Sequence, residues 1–316
     1  MKPVIYVVVP CYNEEAALPR SVGVLLEELE RIGADEKSRL LLVDDGSRDA
    51  TWRIIEDFHR RDGRVCGLKL AHNAGQQNAM WAGMMEARSR ADAVITIDCD
   101  LQDDPKVMRQ LVEKFMSGCD VVYGVRSSRD KDTVFKRLSA HAYYSIMKML
   151  GVELVYDHSE YRLLSRRALD ALSQYGEVNL FLRAMVPTLG FRSDKVYYER
   201  QERVAGESKY PLSKMVSLAM QGITSFSDRP LAWVLAAGVM GVATGLFALL
   251  VAAVCAMCGV GVGGWAWVLM ALWTMGGVQV LAIGLVGSYV GKIYMETKRR
   301  PRYIVDVKLE DGETDE

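Results

Sequence analysis

The sequence predicts an α/β protein. A mostly parallel sheet with helices on both faces comes first, then an interfacial helix and a two-helix transmembrane hairpin. Three observations carry this. The first 125 residues alternate short apolar runs with amphipathic stretches. Those runs are apolar throughout, which suits strands covered on both faces. No charged residue lies between Arg229 and Lys292.

The elements follow in order. Val4–Val9 is a β-branched run and predicts the first strand. Glu14–Arg31 places Val22, Leu25, Leu26 and Leu29 at helical spacing. Leu40–Val43 reads as a second strand, and Asp49 can cap a helix over Thr51–Arg60. Val65–Leu70 is a third strand, with a helix from Gln76 to Arg88. Ala93–Ile97 is a fourth, Lys106–Met116 a helix behind Pro105, and Val121–Val125 a fifth strand.

The uncharged interval exceeds the ~20 residues that one membrane-crossing helix needs, so it holds two spans. Gly259, Gly261, Gly263 and Gly264 divide it, giving spans near 231–257 and 265–290. Lys292, Lys298, Arg299, Arg300 and Arg302 follow the second span, and the joining loop has no charge. The positive-inside rule then places both termini and the soluble part in the cytoplasm, at the cytoplasmic (inner) membrane. The expected domains are 1–210, a cytoplasmic catalytic domain; 211–229, an interfacial helix; 230–291, the two spans; and 292–316, a cytoplasmic tail whose part after Pro301 is expected to be mobile. A buried hairpin in a soluble protein is the alternative. Residues 1–20 lack a signal peptide, since Asn13, Glu14 and Glu15 interrupt any apolar run.

Composition narrows the function. Thirty-nine basic against 40 acidic residues give a net charge of -1, which argues against nucleic-acid coating. Cys11, Cys66, Cys99 and Cys119 are scattered, without zinc spacing. Cys255 and Cys258 fall inside an expected span and read as packing residues. No Gly-x-Gly-x-x-Gly follows the first strand, and there is no Gly-Lys-Ser/Thr phosphate loop.

In parallel sheets, ligands bind beyond the carboxyl ends of the strands. The polar motifs fall there: Pro10-Cys11-Tyr12-Asn13-Glu14, Asp44-Asp45-Gly46-Ser47, Asn73-Ala74-Gly75, Asp98-Cys99-Asp100-Leu101-Gln102 and Gly124-Val125-Arg126. Taken alone, Asp-Asp-Gly-Ser is an ordinary turn. Asp98 and Asp100 can converge on one cation once the strand ends, and Gln102 adds a neutral oxygen. Oxygen ligands without His or Cys suit Mg²⁺ or Mn²⁺. A polar turn ahead of Pro105 explains Asp103 or Asp104 as a helix cap, but not Asp98 after an apolar strand.

Together these motifs resemble family 2 glycosyltransferases with the GT-A fold, a Rossmann-like sheet. With the two-span tail, the chain is similar to polyprenyl-phosphate glycosyltransferases of the dolichyl-phosphate mannose synthase and bactoprenol glucosyltransferase type. The resemblance implies a nucleotide-sugar donor, held at Pro10, Tyr12, Asn13, Glu14, Asp44, Asp45, Asn73 and Gly75. It implies a divalent metal at Asp98, Asp100 and Gln102, and a polyprenyl phosphate acceptor at the bilayer. Arg126 is expected on a phosphate. Asp157-His158-Ser159-Glu160-Tyr161-Arg162-Leu163 resembles a Phe-Arg-Leu type motif of that family but carries Glu160-Tyr161 before Arg162. Asp157 is the expected base or acceptor-orienting group, and Asp100, Asp157 and Arg126 form the expected catalytic set. Arg137, Arg162, Arg203, Ser208 and Lys209 are expected at the acceptor phosphate.

Val134–Leu150 is amphipathic and either lies on the membrane or packs on the sheet. Ser213–Phe226 is the expected interfacial helix. Gly238, Gly241 and Gly245 offer close-packing positions in the first span, and a homo-oligomer such as a tetramer is expected. A processive polysaccharide synthase would carry Gln-x-x-Arg-Trp, which is absent. A non-catalytic membrane protein that binds nucleotide sugar and a hairpin-anchored nucleotidyltransferase also stay open as readings.

Overall fold

The computed structural model describes residues 2–127, 158–177, 180–199, 257, 264–298 and 300–310. The chain divides into two compact units. One holds the described residues up to 199 together with 300–310, and the other holds 257 and 264–298.

The first unit is a mixed sheet with helices. Strands β1 (Ile5–Cys11), β2 (Arg39–Asp44), β3 (Val65–Leu70), β4 (Ala93–Thr96) and β5 (Val121–Arg126) follow the expected runs. Helices α1 (Leu18–Arg31), α2 (Thr51–Arg61), α3 (Gln76–Ala87) and α4 (Met108–Met116) separate them. Helix α1 starts four residues later than its periodicity suggests, after a turn in which Leu18 N donates to Glu14 O. Its buried residues Leu18, Val22, Leu25 and Leu29 make the expected stripe. Helix α3 is apolar on nearly every side and lies close against β1 and β2. Gly83 makes that approach possible: a Cβ there would sit 2.4 Å from Val8 Cγ1 and 2.8 Å from Val43 Cγ2.

Later segments complete the sheet. They are β6 (His158–Ser165), α5 (Arg166–Ser173), α6 (Leu182–Thr188), β7 (Ser193–Tyr198) and, near the chain end, β8 (Val305–Leu309). The strand order is β7-β5-β6-β4-β1-β2-β3-β8. β1 pairs in parallel with β2 and β4, β2 with β3, and β5 with β7. β6 is antiparallel to β4 and β5, and β8 is antiparallel to β3. The insertion of β6 between β4 and β5 matters for the site. Running backwards, β6 brings its first residues to the edge where β4 and β5 end: Thr96 pairs with Arg162, and Val125 with His158.

The tail corrects one expectation. Residues 302–310 are fixed rather than mobile. Val305, Val307 and Leu309 alternate with charged residues, the period of a half-exposed strand. Ala71 N donates to Ile304 O at 2.9 Å, and Lys308 Nζ meets Glu86 at 2.6 Å. Arg90 meets Glu310 at 2.7 Å, and the Arg302 guanidinium lies 4.2 Å over the Trp81 ring. Leu309 packs near Gly67 and Ile55. β8 therefore covers the edge that β3 would otherwise expose.

In the second unit, helix α7 (Trp265–Lys298) runs 34 residues through the second expected span. Trp265, Val268, Leu272, Ile283 and Ile293 are exposed on it. Among the described residues, no helix is long and apolar enough to cross a membrane. Several α7 side chains fall outside that set, as does the first expected span apart from Met257. The expected interfacial helix at 211–229, the amphipathic stretch 134–150 and Cys255 and Cys258 also lie outside the described residues.

Ending the chain after Pro301 should lower the stability of the first unit in urea unfolding. Leu309→Ala alone should cost about 1–2 kcal/mol, as for a partly buried leucine. Unchanged midpoints for both would contradict the pairing of β8 with β3.

Candidate active site

The site is built where β1, β2, β4 and β5 end. β1 stops at Cys11 opposite Asp44, the last residue of β2. Asp44 is fully enclosed, with 0% exposure. Its Oδ1 accepts from Ser47 N at 3.1 Å, while its Oδ2 is buried with no hydrogen-bond partner. Burial pushes the Asp44 carboxyl above the ordinary carboxylate range, against the pull of Ser47. A buried acceptor without a donor is costly, and a ligand N–H or hydroxyl would satisfy it. Tyr12 follows Cys11 immediately and is 38% exposed at the end of that strand. Pro10 is buried within β1, against Val43. It shapes the strand end rather than offering a surface.

The loops here are fixed by side chains binding backbone. Asp45 Oδ1 and Oδ2 accept from Ala74 N at 2.7 Å and Gly75 N at 3.0 Å. That bidentate grip sets the 72–75 loop and starts α3, with Gly75 at φ 91°. Gly46, at φ 67°, lets the two loops touch: a Cβ there would lie 2.6 Å from the His72 carbonyl carbon. Asn13 N donates to Ser47 Oγ at 3.0 Å, and Asn13 Oδ1 accepts from Arg48 N at 2.9 Å. Glu14 N donates to Thr51 Oγ1 at 2.9 Å. Asp45 and Asn13 thus act as scaffold for the positions assigned to the donor. Asn73 is exposed on the clamped loop.

The carboxylate side follows β4. Asp98 is half-buried, and its Oδ1 accepts from Gln76 Nε2 at 2.8 Å. Burial raises its pKa to about 7, and the fields of Asp103, Asp100 and Glu160 add to this while Arg126 opposes it. Asp100 Oδ1 accepts from Gln102 N at 3.1 Å, which closes the turn. Leu101 between them holds φ 50°; it and Asn13 are the non-glycine residues of positive φ among the described residues. Both strained positions fall in this site. Asp103 and Asp104 divide as a turn would require. Asp104 caps the short helix ahead of α4 by accepting from Lys106 N at 3.1 Å. Asp103 is buried and accepts from Tyr198 Oη at 2.6 Å and Arg126 Nη2 at 3.0 Å.

Arg126, expected on a phosphate, is therefore anchored on Asp103, which also holds its guanidinium firmly protonated. Arg162 is a correction. It was expected at the acceptor phosphate, but it is 1% exposed. It bonds Glu160 Oε2 and donates to Leu182 O at 3.1 Å, because β6 lies inside the sheet. Glu160 is the residue that the sequence left without a role. Its Oε1 accepts from Gln77 Nε2 at 3.0 Å and Arg183 Nε at 2.8 Å, tying β6 to α3 and α6. Its place beside Tyr161 and two residues ahead of Arg162, before Leu163 and Leu164, was the available signal. Asp157, Arg137, Arg203, Ser208 and Lys209 lie outside the described residues.

Among the described residues, no group of three or more His, Cys, Asp or Glu converges to hold a metal. Asp98 and Asp100 alone fit an ion that takes its other ligands from water and a diphosphate. Asp98 lies among more carboxylates than the Arg126 guanidinium offsets, a setting that suits a cation.

Metal-free protein should show the strain of that acidity. Asp98 binds its proton more tightly folded than unfolded, so its stabilising contribution is complete near pH 4 and is lost as pH rises to about 7. In chelator, Asp98→Asn should match the wild type near pH 4 and exceed it progressively towards pH 8. The ceiling is roughly 4 kcal/mol, and solvent at the half-buried carboxylate reduces it. Parallel pH profiles of urea unfolding would contradict this.

The chain has relatives among known proteins. The family model described as "Glycosyl transferase family 2" matches residues 6–173. The chain is 44% identical over 312 residues to the uncharacterized glycosyltransferase YkoT of Bacillus subtilis (strain 168), covering 98% of this chain and 93% of that protein. It is 36% identical over 303 residues to a bactoprenol glucosyl transferase of Shigella phage SfX, covering 95% and 98%. A solved glucosyl-3-phosphoglycerate synthase from Mycobacterium tuberculosis is similar at 20% identity and a TM-score of 0.46, over 70% of this chain and 76% of that one. By sequence family and by the α/β fold that carries it, the chain belongs to glycosyl transferase family 2 and is a glycosyltransferase.

Proposed function

We propose that the enzyme transfers a sugar from a UDP- or GDP-linked donor to the phosphate of a polyprenyl phosphate, with inversion, at the cytoplasmic face of a membrane. The observation that carries this is the pairing of unmet acidity along one sheet edge. Asp44 ends β2 with an orphaned oxygen, and Asp98 follows β4 with its carboxyl pushed up to about 7 by burial and by acidic neighbours that Arg126 offsets only in part. Only β1 separates those strands, which run ~10 Å apart in the sheet. A nucleoside diphosphate presents hydrogen-bond donors at one end and anionic oxygens at the other. The names of similar proteins, bactoprenol glucosyl transferases, support a lipid phosphate acceptor and favour a glucosyl group.

Each group then has a task. Asp44 receives a base N–H or ribose hydroxyl, and Tyr12 offers a stacking face. Asp98 and Asp100, with Gln102 beside them, hold Mg²⁺ or Mn²⁺, which when bound neutralises charge on the leaving diphosphate. Arg126, steadied by Asp103 and Tyr198, supplies positive charge beside the same diphosphate. A phosphate monoester has its second pKa near ~6, so the nucleophile is already largely ionised at neutral pH. Positioning therefore matters more than deprotonation. Arg137, Arg203, Ser208 and Lys209 are assigned to the acceptor phosphate, and Asp157 to orienting it.

A polyprenyl chain stays in the bilayer, so the site must work at its surface. The uncharged interval ahead of Lys292 and the basic cluster after it support a two-span hairpin with both termini cytoplasmic. The exposed apolar side chains of α7 suit a lipid environment. Glycines of the first span suit assembly into a homo-oligomer such as a tetramer.

Labelled-sugar transfer tests this reading. With UDP- and GDP-sugars, Mn²⁺ and polyprenyl phosphate, the product should be lipid-soluble and labile to mild acid. Asp100→Ala should lower transfer by about a hundredfold or more with the unfolding midpoint preserved. A polymeric product, or full activity in Asp100→Ala, would overturn it.

A further inference from the structure

Helix α3 begins where the two halves of the site meet. Asp45 fixes its cap by binding Ala74 N and Gly75 N. The first two side chains of the helix then reach the carboxylates of the neighbouring strands. Gln76 Nε2 donates to Asp98 Oδ1 at 2.8 Å. Gln77 Nε2 donates to Glu160 Oε1 at 3.0 Å, and Gln77 Oε1 accepts from Leu182 N at 3.1 Å. One helical turn therefore links the nucleotide-side loop to both acidic groups.

The chemistry of the link is specific. Asp98 faces the negative charges of Asp100, Asp103 and Glu160, which the Arg126 guanidinium offsets only in part. Repulsion of that kind turns an aspartate towards solvent unless something holds it. A lysine or arginine would hold it but would also neutralise it and compete with a metal ion. A primary amide does neither: it donates one hydrogen bond to one oxygen and leaves the charge in place. Gln76 itself is exposed, so it has little role in the core.

We infer that Gln76 is a positioning residue for metal binding: its amide fixes the Asp98 carboxylate in the orientation that, with Asp100, presents oxygen to one divalent ion beside the donor diphosphate. This rests on the proposed binding of that ion by Asp98 and Asp100. Gln77 differs: it joins Arg162 and Arg183 in holding Glu160 and ties it to the backbone of α6.

The test is direct binding of Mn²⁺ to full-length protein in detergent with UDP present, read as loss of the free-ion electron paramagnetic resonance signal. Gln76→Leu and the isosteric Gln76→Met should each weaken Mn²⁺ binding about tenfold, the weight of one hydrogen bond to a charged group. UDP affinity in chelator and the thermal midpoint should stay at their wild-type values. Wild-type Mn²⁺ affinity in both variants would overturn the inference and leave the metal reading standing. A large fall in thermal midpoint would also overturn it, by making Gln76 a structural residue. Absence of Mn²⁺ binding by the wild type would overturn the metal reading and this inference together.

Discussion

The constraint behind this site is that a strand buried on both faces cannot satisfy the charge at its own end. β1, β2 and β4 are buried along their length, which fixes the sheet but leaves only loops to carry polarity. The acidic residues at those ends divide into two kinds. Asp45 is consumed by two backbone N–H groups, and Asp103 by Arg126 and Tyr198. Asp44 and Asp98 stay short of partners or of compensating charge. The first kind builds rigid walls, and the second faces what those walls enclose. Removing the first kind would loosen the loops; under the proposed function, removing the second would take away contacts with the donor.

Rigidity has a visible cost in the backbone. Asn13 and Leu101 adopt left-handed conformations that side chains disfavour. Each is over-determined by its surroundings. Asn13 is tied through both its N–H and its amide oxygen to the Ser47–Arg48 segment, and Leu101 is buried against the core. Gly46 lacks the side chain that would push the β2 and β3 loops apart. The loops are thus set before any ligand arrives, which lowers the ordering cost of binding.

Much of this was legible in the residues. Runs such as Val4–Val9 and Val65–Leu70 are unambiguous because burial on both faces demands continuous apolar sequence. The motifs at their ends followed from topology. What escaped reading had mixed chemistry. β6 carries a buried Glu160–Arg162 pair, which breaks the apolar pattern and looks like a surface motif. Such a pair is tolerated because Gln77, Arg183 and the Leu182 carbonyl satisfy most of its hydrogen bonds, while the buried Arg162 Nε stays without one among the described residues. β7 is exposed at most positions and gives little periodicity. β8 alternates clearly, but it lies beyond a long uncharged stretch, and its partner β3 is more than 200 residues away in sequence. Arg126 was found by position, while its anchor Asp103 was visible only once β5 and the β4 loop were seen together.

The most direct measurement is an experimental structure of the enzyme with UDP and Mn²⁺. Asp44 Oδ2 should then accept a hydrogen bond from the uracil or ribose, with the ion between Asp98 or Asp100 and the diphosphate oxygens. A nucleotide bound elsewhere, with Asp44 Oδ2 still lacking a partner, would contradict the central claim.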